Sequence, residues 1–442
     1  KFKRFVDDYL IFCSSKEEAH SILTDLNIKL IENEGLTLQK NKSVIMSKEE
    51  FTNITKVKIS GVTEDEGSTQ KAKFLNLPIR YDPYSPNAKE DYEEIKESLK
   101  SFDLFSMLSE ELKKSKVKGP RIVVVGGGTG QSMLLRGLKK YTDNLTAIVT
   151  MADDGGSSGV LREEMGMLPP GDIRNCILAL SNAEPEMQKI MQYRFKDGSL
   201  KDQSFGNLFL AALNGTYEDF ELAVTKISHI LAVTGRVLPV TLENVNLAAE
   251  LENGNVVIGE SKIAPEVLET KSRIKKISLI PENVEPYEEV ISAIGMADLI
   301  VIGPGSLYTS IIPNLLTDRV SETIEKSKAK KMYVSNVMTQ KGETDNLSIY
   351  DHVKILLDHC NNRKIIDMII VNKEKIPEYL LKKYAEKNSD SIYMDKEQKN
   401  ELEKMKIRVI EGNFLNLKDD YVRHNEEKLA RVIIDNYNYI LK

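Results

Sequence analysis

The stretch RIVVVGGGTGQSMLLRGL at residues 121–138 determines the fold class of this chain. A short apolar run, Ile122 to Val125, predicts a buried strand, and the residues behind the glycines predict a helix. Strand, glycine loop and helix in this order place bare backbone N–H groups at a helix N-terminus. Such a loop can receive a phosphate group.

The same alternation continues towards the C-terminus. Apolar runs such as TAIVTM, DLIVIG, KMYVSNV, DMIIVN and IRVIEG are separated by helical patterns. This predicts an α/β fold with a Rossmann-like parallel sheet that helices cover on both faces. The charged, helix-prone stretch SEELKKSKVKG at 109–119 precedes the first strand. We therefore place a domain boundary there, between residues 1–115 and 119–442.

Two glycine loops with the same arrangement suggest a phosphate site. The first is neither the G-x-G-x-x-G dinucleotide fingerprint nor a Walker A loop, because no Gly-Lys-Ser/Thr follows. Gly127, Gly128 and Thr129 can therefore bind phosphate through backbone N–H groups or form a plain tight turn. The loop Gly303–Ser306, with Gly305 inside it, again follows an apolar strand and precedes a helix.

A further loop between these two, ADDGGSSG at 152–159, adds carboxylates. Asp153 and Asp154 follow the strand LTAIVTM at about the separation at which doubly wound folds place a ribose-binding acid. They can alternatively bind Mg²⁺ on a phosphate, with Ser157 as a hydroxyl donor, or form a surface Asp-Gly turn. Asp172 opens a helix, where helix capping is the commoner use of Asp. We expect all these loops to meet in one ligand crevice.

Amide side chains extend the expected crevice. Asn207 in SFGN and Asn336 in SNVMTQ suit hydrogen bonds to a base, a sugar or a phosphate. The sequence contains no G-x-S-x-G elbow, no HExxH motif and no Cys/His cluster. His352 and His359 lie seven apart on a predicted helix and are expected to be packing or surface residues. We therefore assign no catalytic residue from the sequence.

Composition restricts the class of protein. The formal net charge of −6 and the pI of about 5.7 give no overall basic character, so nucleic acid is not an expected partner. The few, widely separated cysteines indicate a reducing compartment. No apolar run approaches the roughly 20 residues of a membrane span, and the N-terminus is not signal-like. We expect a cytoplasmic protein without a membrane partner. The sequence is compatible with a monomer and with a homo-oligomer.

The first 115 residues differ in character. Asp7 and Asp8 lie between the apolar flanks KRFV and YLIFC, which predicts a hairpin with both carboxylates at its tip. With the following helix and GLTLQKNKSVIM, this segment resembles the palm region of reverse transcriptases around their (Tyr/Phe)-x-Asp-Asp motif. The other metal-binding Asp and the fingers of such an enzyme would lie upstream of Lys1. We expect an inactive, truncated remnant of something longer, or a join of two reading frames.

From Pro120 onward, the motifs resemble those of one family in order and spacing. GGGTG, ADDGGSSG, PPGDIRNC, SFGNLFLAAL, LPVT, IGPGSLYTSIIPN and NVMTQKGETDN are similar to the YvcK type of the YvcK/CofD family, the gluconeogenesis factors. The resemblance implies a Rossmann-like fold. Its YvcK members are cytoplasmic, bind UDP-sugars such as UDP-N-acetylglucosamine, and support gluconeogenic growth and normal cell shape. Its CofD members transfer a phospholactyl group from a guanine nucleotide donor with Mg²⁺.

The resemblance also implies roles for individual residues, with phosphate at the first glycine loop and a sugar or metal ion at the two aspartates. The implied ligand-binding set is Gly127, Gly128, Thr129, Asp153, Asp154, Ser157, Asp172, Asn207, Gly305, Ser306, Asn336, Tyr384 and Arg423. Asp202 and Gln203 stand where the family pattern has Gly-His, which speaks against transfer activity but not against binding, since Gln can hydrogen-bond. We expect a non-catalytic, nucleotide-sugar-binding regulator of carbon flux and cell-wall morphogenesis. A phospholactyl-type transferase is the alternative.

Overall fold

Two compact units make up the chain, Lys1–Met107 and Leu108–Lys442. The structure, a computed structural model, describes only part of the first unit and most of the second. The described residues are 2–5, 8–11, 73–74, 77–78, 119–183, 185–386, 389–417 and 421–440.

The described part of the first unit consists of two short antiparallel strand pairs. Strand β1 (Phe2–Phe5) pairs with β2 (Asp8–Ile11), and Phe5 opposes Asp8 in this hairpin. The second pair is β3 (Lys73–Phe74) with β4 (Leu77–Pro78). The hairpin agrees with the sequence prediction, whereas Asp7 lies outside the described residues.

From residue 119 onward, strands and helices alternate as the sequence predicts. The strands are β5 (Ile122–Gly126), β6 (Leu145–Val149), β7 (Arg236–Pro239), β8 (Asn246–Leu251), β9 (Val256–Ile258), β10 (Ile274–Ile280), β11 (Leu299–Ile302), β12 (Lys330–Val334), β13 (Met368–Asn372), β14 (Arg408–Gly412), β15 (Leu415–Asn416) and β16 (Arg423–His424). The helices are α1 (Gly128–Leu138), α2 (Gly156–Met165), α3 (Gly171–Leu180), α4 (Pro185–Gln192), α5 (Phe205–Tyr217), α6 (Phe220–Ile230), α7 (Glu260–Thr270), α8 (Glu288–Met296), α9 (Ile312–Leu316), α10 (Val320–Lys326), α11 (Ile349–His359), α12 (Glu378–Ala385), α13 (Lys396–Lys404) and α14 (Glu426–Ile440). A π-helical turn, Leu307–Ile311, leads into α9.

One parallel sheet organises the second unit, with the strand order β14–β13–β12–β11–β5–β6–β7. Every residue of β5, β6 and β11 is buried, and all but Thr146 and Gly126 have apolar side chains, because helices cover both faces of the sheet. The predicted Rossmann-like α/β fold is therefore confirmed. The first strand of this sheet along the chain is β5, and β6 and β7 follow on one side of it. The chain then returns, and β11 pairs with the other side of β5. This reversal makes the β5–β11 edge a topological switch point, where open α/β sheets bind ligands.

Two smaller parts flank the sheet. A three-stranded antiparallel sheet, β10–β8–β9, follows β7 in the chain, and helix α7 packs on β8 and β9. Near the C-terminus, α12 and the β15–β16 pair enclose a separate apolar cluster, which we call the C-terminal cluster. Its buried members are Val337, Ile376, Leu380, Leu415 and Val422. Within the described residues, no helix combines the length and apolar character that crossing a bilayer would require.

Candidate functional site

The first and third glycine loops lie against each other at the switch point. A Cβ atom built on Gly130 would lie 2.5 Å from the carbonyl oxygen of Pro304, and one built on Gly305 would lie 3.4 Å from that of Gly127. A side chain at Gly130 would therefore collide with backbone, and only glycine permits this approach. The fold thus brings two glycine loops, about 175 residues apart in the chain, together at the carboxyl ends of two neighbouring strands.

Two fully buried amide side chains hold the first loop in place. Asn314, in α9, donates hydrogen bonds of 2.8 Å to the carbonyl oxygens of Gly126 and Ser310. Gln131, in the first turns of α1, donates bonds of 2.9 Å to one carbonyl on β5 and one on β6. Neither residue was predicted from the sequence, because an amide within an apolar helix carries no local sign of what it bonds.

The two aspartates of the second loop make different structural bonds. Asp153 accepts a hydrogen bond of 3.0 Å from the backbone N–H of Gly155. Asp154 accepts one of 2.8 Å from the backbone N–H of Ser261, in the first turn of α7. A carboxylate at a helix N-terminus satisfies an unpaired donor and interacts favourably with the helix dipole. Asp154 therefore connects the second loop to the small sheet and its helix.

Ser157 is the centre of a hydrogen-bond network. Its hydroxyl donates to Gln203 Oε1 at 2.7 Å and accepts from the backbone N–H of Ser204 and from Asn207 Nδ2, at 3.3 and 3.1 Å. Asn207 is only 2% exposed, and its Oδ1 has no partner among the described residues. Because buried polar atoms are almost always hydrogen-bonded, this oxygen is available to a donor group of a ligand or to water.

Asp172 supports the first loop across the crevice. Helix α3 begins at Gly171 with Pro170 as its N-cap, so the expectation that Asp172 caps its own helix is wrong. Its carboxylate instead lies against the first loop: a Cβ built on Gly127 would lie 2.6 Å from Asp172 Oδ2, and the backbone N–H of Gly128 favours the ionised form. Burial, reinforced by the nearby Asp153, raises the pKa of Asp172 to about 6. The acid therefore fixes the conformation of the glycine loop at neutral pH.

The third loop is connected to the loop after β12. Ser306 donates a hydrogen bond of 2.6 Å to Gln340 Oε1, and Gln340 Nε2 donates to Glu343 Oε1. Asn336, in the same loop after β12, is half-buried. Within the described residues, Glu343 Oε2 is buried and has no hydrogen-bond partner. Ser306 is therefore bonded to the loop that also carries Asn336, whose contact with a ligand stays a prediction.

Several acidic groups of the crevice interact with one another, and Arg162 and Arg174 lie near the same aspartates. Burial, then Asp153, Asp154 and Asp172, raise the pKa of Glu260 to about 7. Burial, then Glu260, raises the pKa of Glu343 to about 8. Neither glutamate was predicted from the sequence, because GESK and KGETD have the composition of ordinary polar loops. Among the described residues, no three His, Cys, Asp or Glu side chains are placed to hold a metal ion. A Mg²⁺ at Asp153 and Asp154 would therefore need oxygen ligands from a bound phosphate.

Tyr384 and Arg423 lie in the C-terminal cluster and its surroundings. The Tyr384 hydroxyl accepts a hydrogen bond of 2.9 Å from the backbone N–H of Val422, and its ring packs on the cluster. Arg423 is exposed, with its guanidinium carbon 5.2 Å from the ring centroid of Tyr421. These contacts stabilise the C-terminal cluster, and the contact of both residues with a ligand stays a prediction.

Both histidines of α11 are packing residues. His359 Nε2 accepts from the backbone N–H of Ile277 at 3.0 Å, and its Nδ1 donates to Ile355 O at 2.7 Å, which joins α11 to β10. His352 is fully buried, and neither ring nitrogen has a partner in the described part of the chain. Burial lowers the pKa of His352 to about 4.

Replacing His352 with Phe is expected to stabilise the protein. The variant removes two unpaired buried nitrogens, and an unpaired buried polar group costs about 1–3 kcal/mol. The folded-state pKa of about 4 lies below the ordinary 6.5, so the unfolded chain takes up a proton first as the pH falls. Urea unfolding should show a higher free energy for H352F at pH 7 and a wider gap at pH 5. An equal gap at both pH values would contradict this explanation.

The fold and the loop motifs of the second unit match a family of known proteins. Residues 122–415 match the family model of the 2-phospho-L-lactate transferase CofD. The chain belongs to this family. A relative from Clostridium acetobutylicum is 54% identical over 338 residues, which cover 76% of this chain and 74% of that one. The gluconeogenesis factor of Bacillus subtilis is 48% identical over 317 residues, 72% of this chain and 98% of that protein.

A solved structure supports the same assignment. A member of the UPF0052 family from Bacillus halodurans superimposes with a TM-score of 0.68 at 42% identity, and the match covers 72% of this chain and all of that one. The resemblance of residues from Pro120 onward to the gluconeogenesis factors is therefore confirmed. The resemblance of the first 115 residues to a reverse transcriptase receives no support from these relatives.

Gln203, where the family resemblance implies a His, has a defined structural role in this CofD-family chain. Gln203 Oε1 accepts a hydrogen bond from the Ser157 hydroxyl and so orients this hydroxyl, which is the centre of the network with Ser204 and Asn207. An amide can make this bond, but it cannot exchange a proton as an imidazole does. A glutamine at this position is compatible with ligand binding.

Proposed function

We propose that this chain binds a UDP-sugar of the UDP-N-acetylglucosamine type and, as a gluconeogenesis factor, regulates carbon flux, cell-wall morphogenesis and cell shape. The observation that carries the proposal is the contact of Gly127–Gly130 with Gly303–Ser306 at the switch point. Two sets of backbone N–H groups there suit a diphosphate, which needs several donors at once. The name of the Bacillus subtilis relative, a gluconeogenesis factor, supports the carbon-flux part of the proposal.

The acceptors around the loops favour a sugar nucleotide over a simple phosphate. Beyond the N–H groups, the crevice offers carboxylates and the unpartnered Oδ1 of Asn207, all of which accept hydrogen bonds. A ribose and a second sugar supply many hydroxyl donors, whereas inorganic phosphate supplies only its few P–OH groups. We infer that Asp153 and Asn207 receive sugar hydroxyls and that the glycine loops receive the phosphates.

A phospholactyl-type transferase is the second candidate. The family description is that of a transferase, and Glu260, with a pKa of about 7, is suited to exchange a proton near neutral pH. Such an enzyme would use a guanine nucleotide donor, with Mg²⁺ held by Asp153 and Asp154 together with the phosphates. Gln203, at the position where the resemblance implies a His, cannot exchange a proton as an imidazole does and weighs against this candidate.

Calorimetric titration of the full chain with UDP-N-acetylglucosamine, and separately with GTP and Mg²⁺, is expected to show saturable binding of the UDP-sugar only. The recovered ligand should be intact. Asp153→Ala should weaken binding at least about tenfold, since a lost charge-assisted hydrogen bond costs about 1.5–3 kcal/mol. Asp143→Ala is the matched control, because Asp143 is exposed and precedes β6 at the opposite end of the sheet. Binding of GTP without any UDP-sugar heat would reject the proposal in favour of the transferase.

A further inference from the structure

A relay of side chains leads from the third loop into the protein. Ser306 donates its hydroxyl proton to Gln340 Oε1, and the amide nitrogen of Gln340 donates to Glu343. A hydroxyl has a single proton, so in this arrangement Ser306 presents only lone pairs to the crevice. Phosphate oxygens are also acceptors. Ser306 therefore cannot bond a phosphate while its proton is committed to Gln340.

The backbone around the relay is fixed. The N–H of Gln340 donates to Thr344 Oγ1 at 2.8 Å, and the N–H of Thr344 donates back to Gln340 O at 2.9 Å. Gly342 packs so closely on α7 that an added Cβ would lie 2.7 Å from the carbonyl oxygen of Ala264. Rotation of the Gln340 amide about its last side-chain bond is therefore the change that this loop can make at little cost.

A rotation of that amide by 180° would exchange its donor and acceptor ends, so that each hydrogen bond of the relay would run in the opposite direction. Gln340 Nε2 would then donate to Ser306 Oγ, and the proton of Ser306 would be free for a phosphate oxygen. The same turn places Gln340 Oε1 against Glu343. Two acceptors repel each other, unless Glu343 carries a proton and donates it to that oxygen.

We propose that Gln340 and Glu343 are positioning residues whose protonation-linked amide rotation decides whether Ser306 can donate a hydrogen bond to a bound phosphate group. The proposal rests on the proposed function, since it requires a phosphate-containing ligand at the third loop. Glu343 takes its proton from solvent, and no bond of the ligand breaks. In the turned state the proton lies on Glu343 Oε1, the oxygen that faces the Gln340 amide. Glu343 Oε2 is buried and has no partner among the described residues, so burial favours the neutral carboxyl.

The surroundings of Glu343 favour its neutral form. The titratable groups that interact with it include Glu260 on α7, Asp345 on its own loop and Tyr308 on the π-helical turn, and none of these three is cationic. Burial and the charge of Glu260 raise the pKa of Glu343 to about 8. The protonated form is therefore present at pH 7 and is lost as the pH rises through about 8. Binding should weaken in the same pH range.

The test is calorimetric titration of the full chain with UDP-N-acetylglucosamine at pH 7 and pH 9, in two buffers of different ionisation enthalpy. We expect the affinity of the wild type to be about tenfold lower at pH 9 than at pH 7, because pH 9 lies about one unit above the pKa of Glu343. Binding at pH 9 should therefore take up to one proton per bound ligand from the buffer. Glu343→Gln, whose amide can donate to Gln340 at every pH, should lack this loss, so the affinity of the wild type relative to E343Q should be about tenfold lower at pH 9 than at pH 7. Protonation changes of the ligand affect both proteins equally, so they cancel when the affinities of the wild type and E343Q are compared at the same pH.

Asp345→Asn is the matched control. It removes a negative charge beside Glu343 but keeps an acceptor for the N–H of Gly342, which Asp345 bonds at 2.6 Å. This variant should retain the alkaline loss of affinity and shift it to lower pH. An E343Q variant with the wild-type pH dependence, or a wild type whose affinity does not change at pH 9, would overturn the inference alone. Absence of UDP-sugar binding at pH 7 would instead reject the proposed function and the inference together.

Discussion

Gly130→Ala is expected to abolish ligand binding in the crevice and to destabilise the protein. The added Cβ would lie 2.5 Å from the carbonyl oxygen of Pro304 and 2.9 Å from its carbonyl carbon, and these backbone atoms cannot rotate away. The first and third loops must then separate, which misaligns both sets of N–H donors. Overpacking of this kind costs about 1–3 kcal/mol of stability. Affinity for UDP-N-acetylglucosamine should fall at least about a hundredfold, because two donor loops lose their common target.

A second glycine variant controls for the loss of flexibility. Gly295 lies within α8, and a Cβ added there would meet nothing within 4 Å. Gly295→Ala should raise the free energy of unfolding by about 0.5–1 kcal/mol, because alanine loses less backbone entropy in a helix. Its affinity should equal that of the wild type. If G130A also bound the UDP-sugar normally, the two loops would not form one site.

Asn314→Asp should have the second largest effect. Asparagine and aspartate have the same shape, but the carboxylate has no N–H to give to the carbonyl oxygens of Gly126 and Ser310. At this fully buried position, three oxygens would face each other, and an unpaired buried charge costs roughly 3–5 kcal/mol. Ligand binding should weaken with stability, since Gly126 leads directly into the first loop.

The pH dependence of this variant follows from the same geometry. The buried carboxyl has its pKa raised in the folded state, so stability is lost at high pH and recovers as the pH falls and the protonated acid donates one bond. Urea unfolding at pH 7 and pH 5 measures this recovery. Asn436→Asp is the matched control, because Asn436 bonds Val432 O at 2.9 Å, also four residues back, but is only half-buried. A similar cost in both variants would show that Asn314 does not hold the loop.

Much of the fold could be predicted from the amino-acid sequence. The apolar run Ile122–Val125 and its counterparts have the composition of strands buried on both faces, and the glycine loops punctuate them at the strand ends. These signals are local, because each residue's conformational preference and hydrophobicity depend on its near neighbours. The parallel sheet, the helices around it and the family were therefore predictable from local sequence patterns.

The partners of the site residues were decided by the tertiary structure. Asp154 bonds Ser261, 107 positions away, and Asn314 bonds Gly126, 188 positions away. The strongly shifted pKa values of Glu260 and Glu343 likewise arise from burial and from acids on other loops. The sequence by itself determined which residue types stand at the ends of the strands. Only the folded chain decided which of them are buried and bonded, because burial and hydrogen bonding depend on segments that are distant in the chain and adjacent in space.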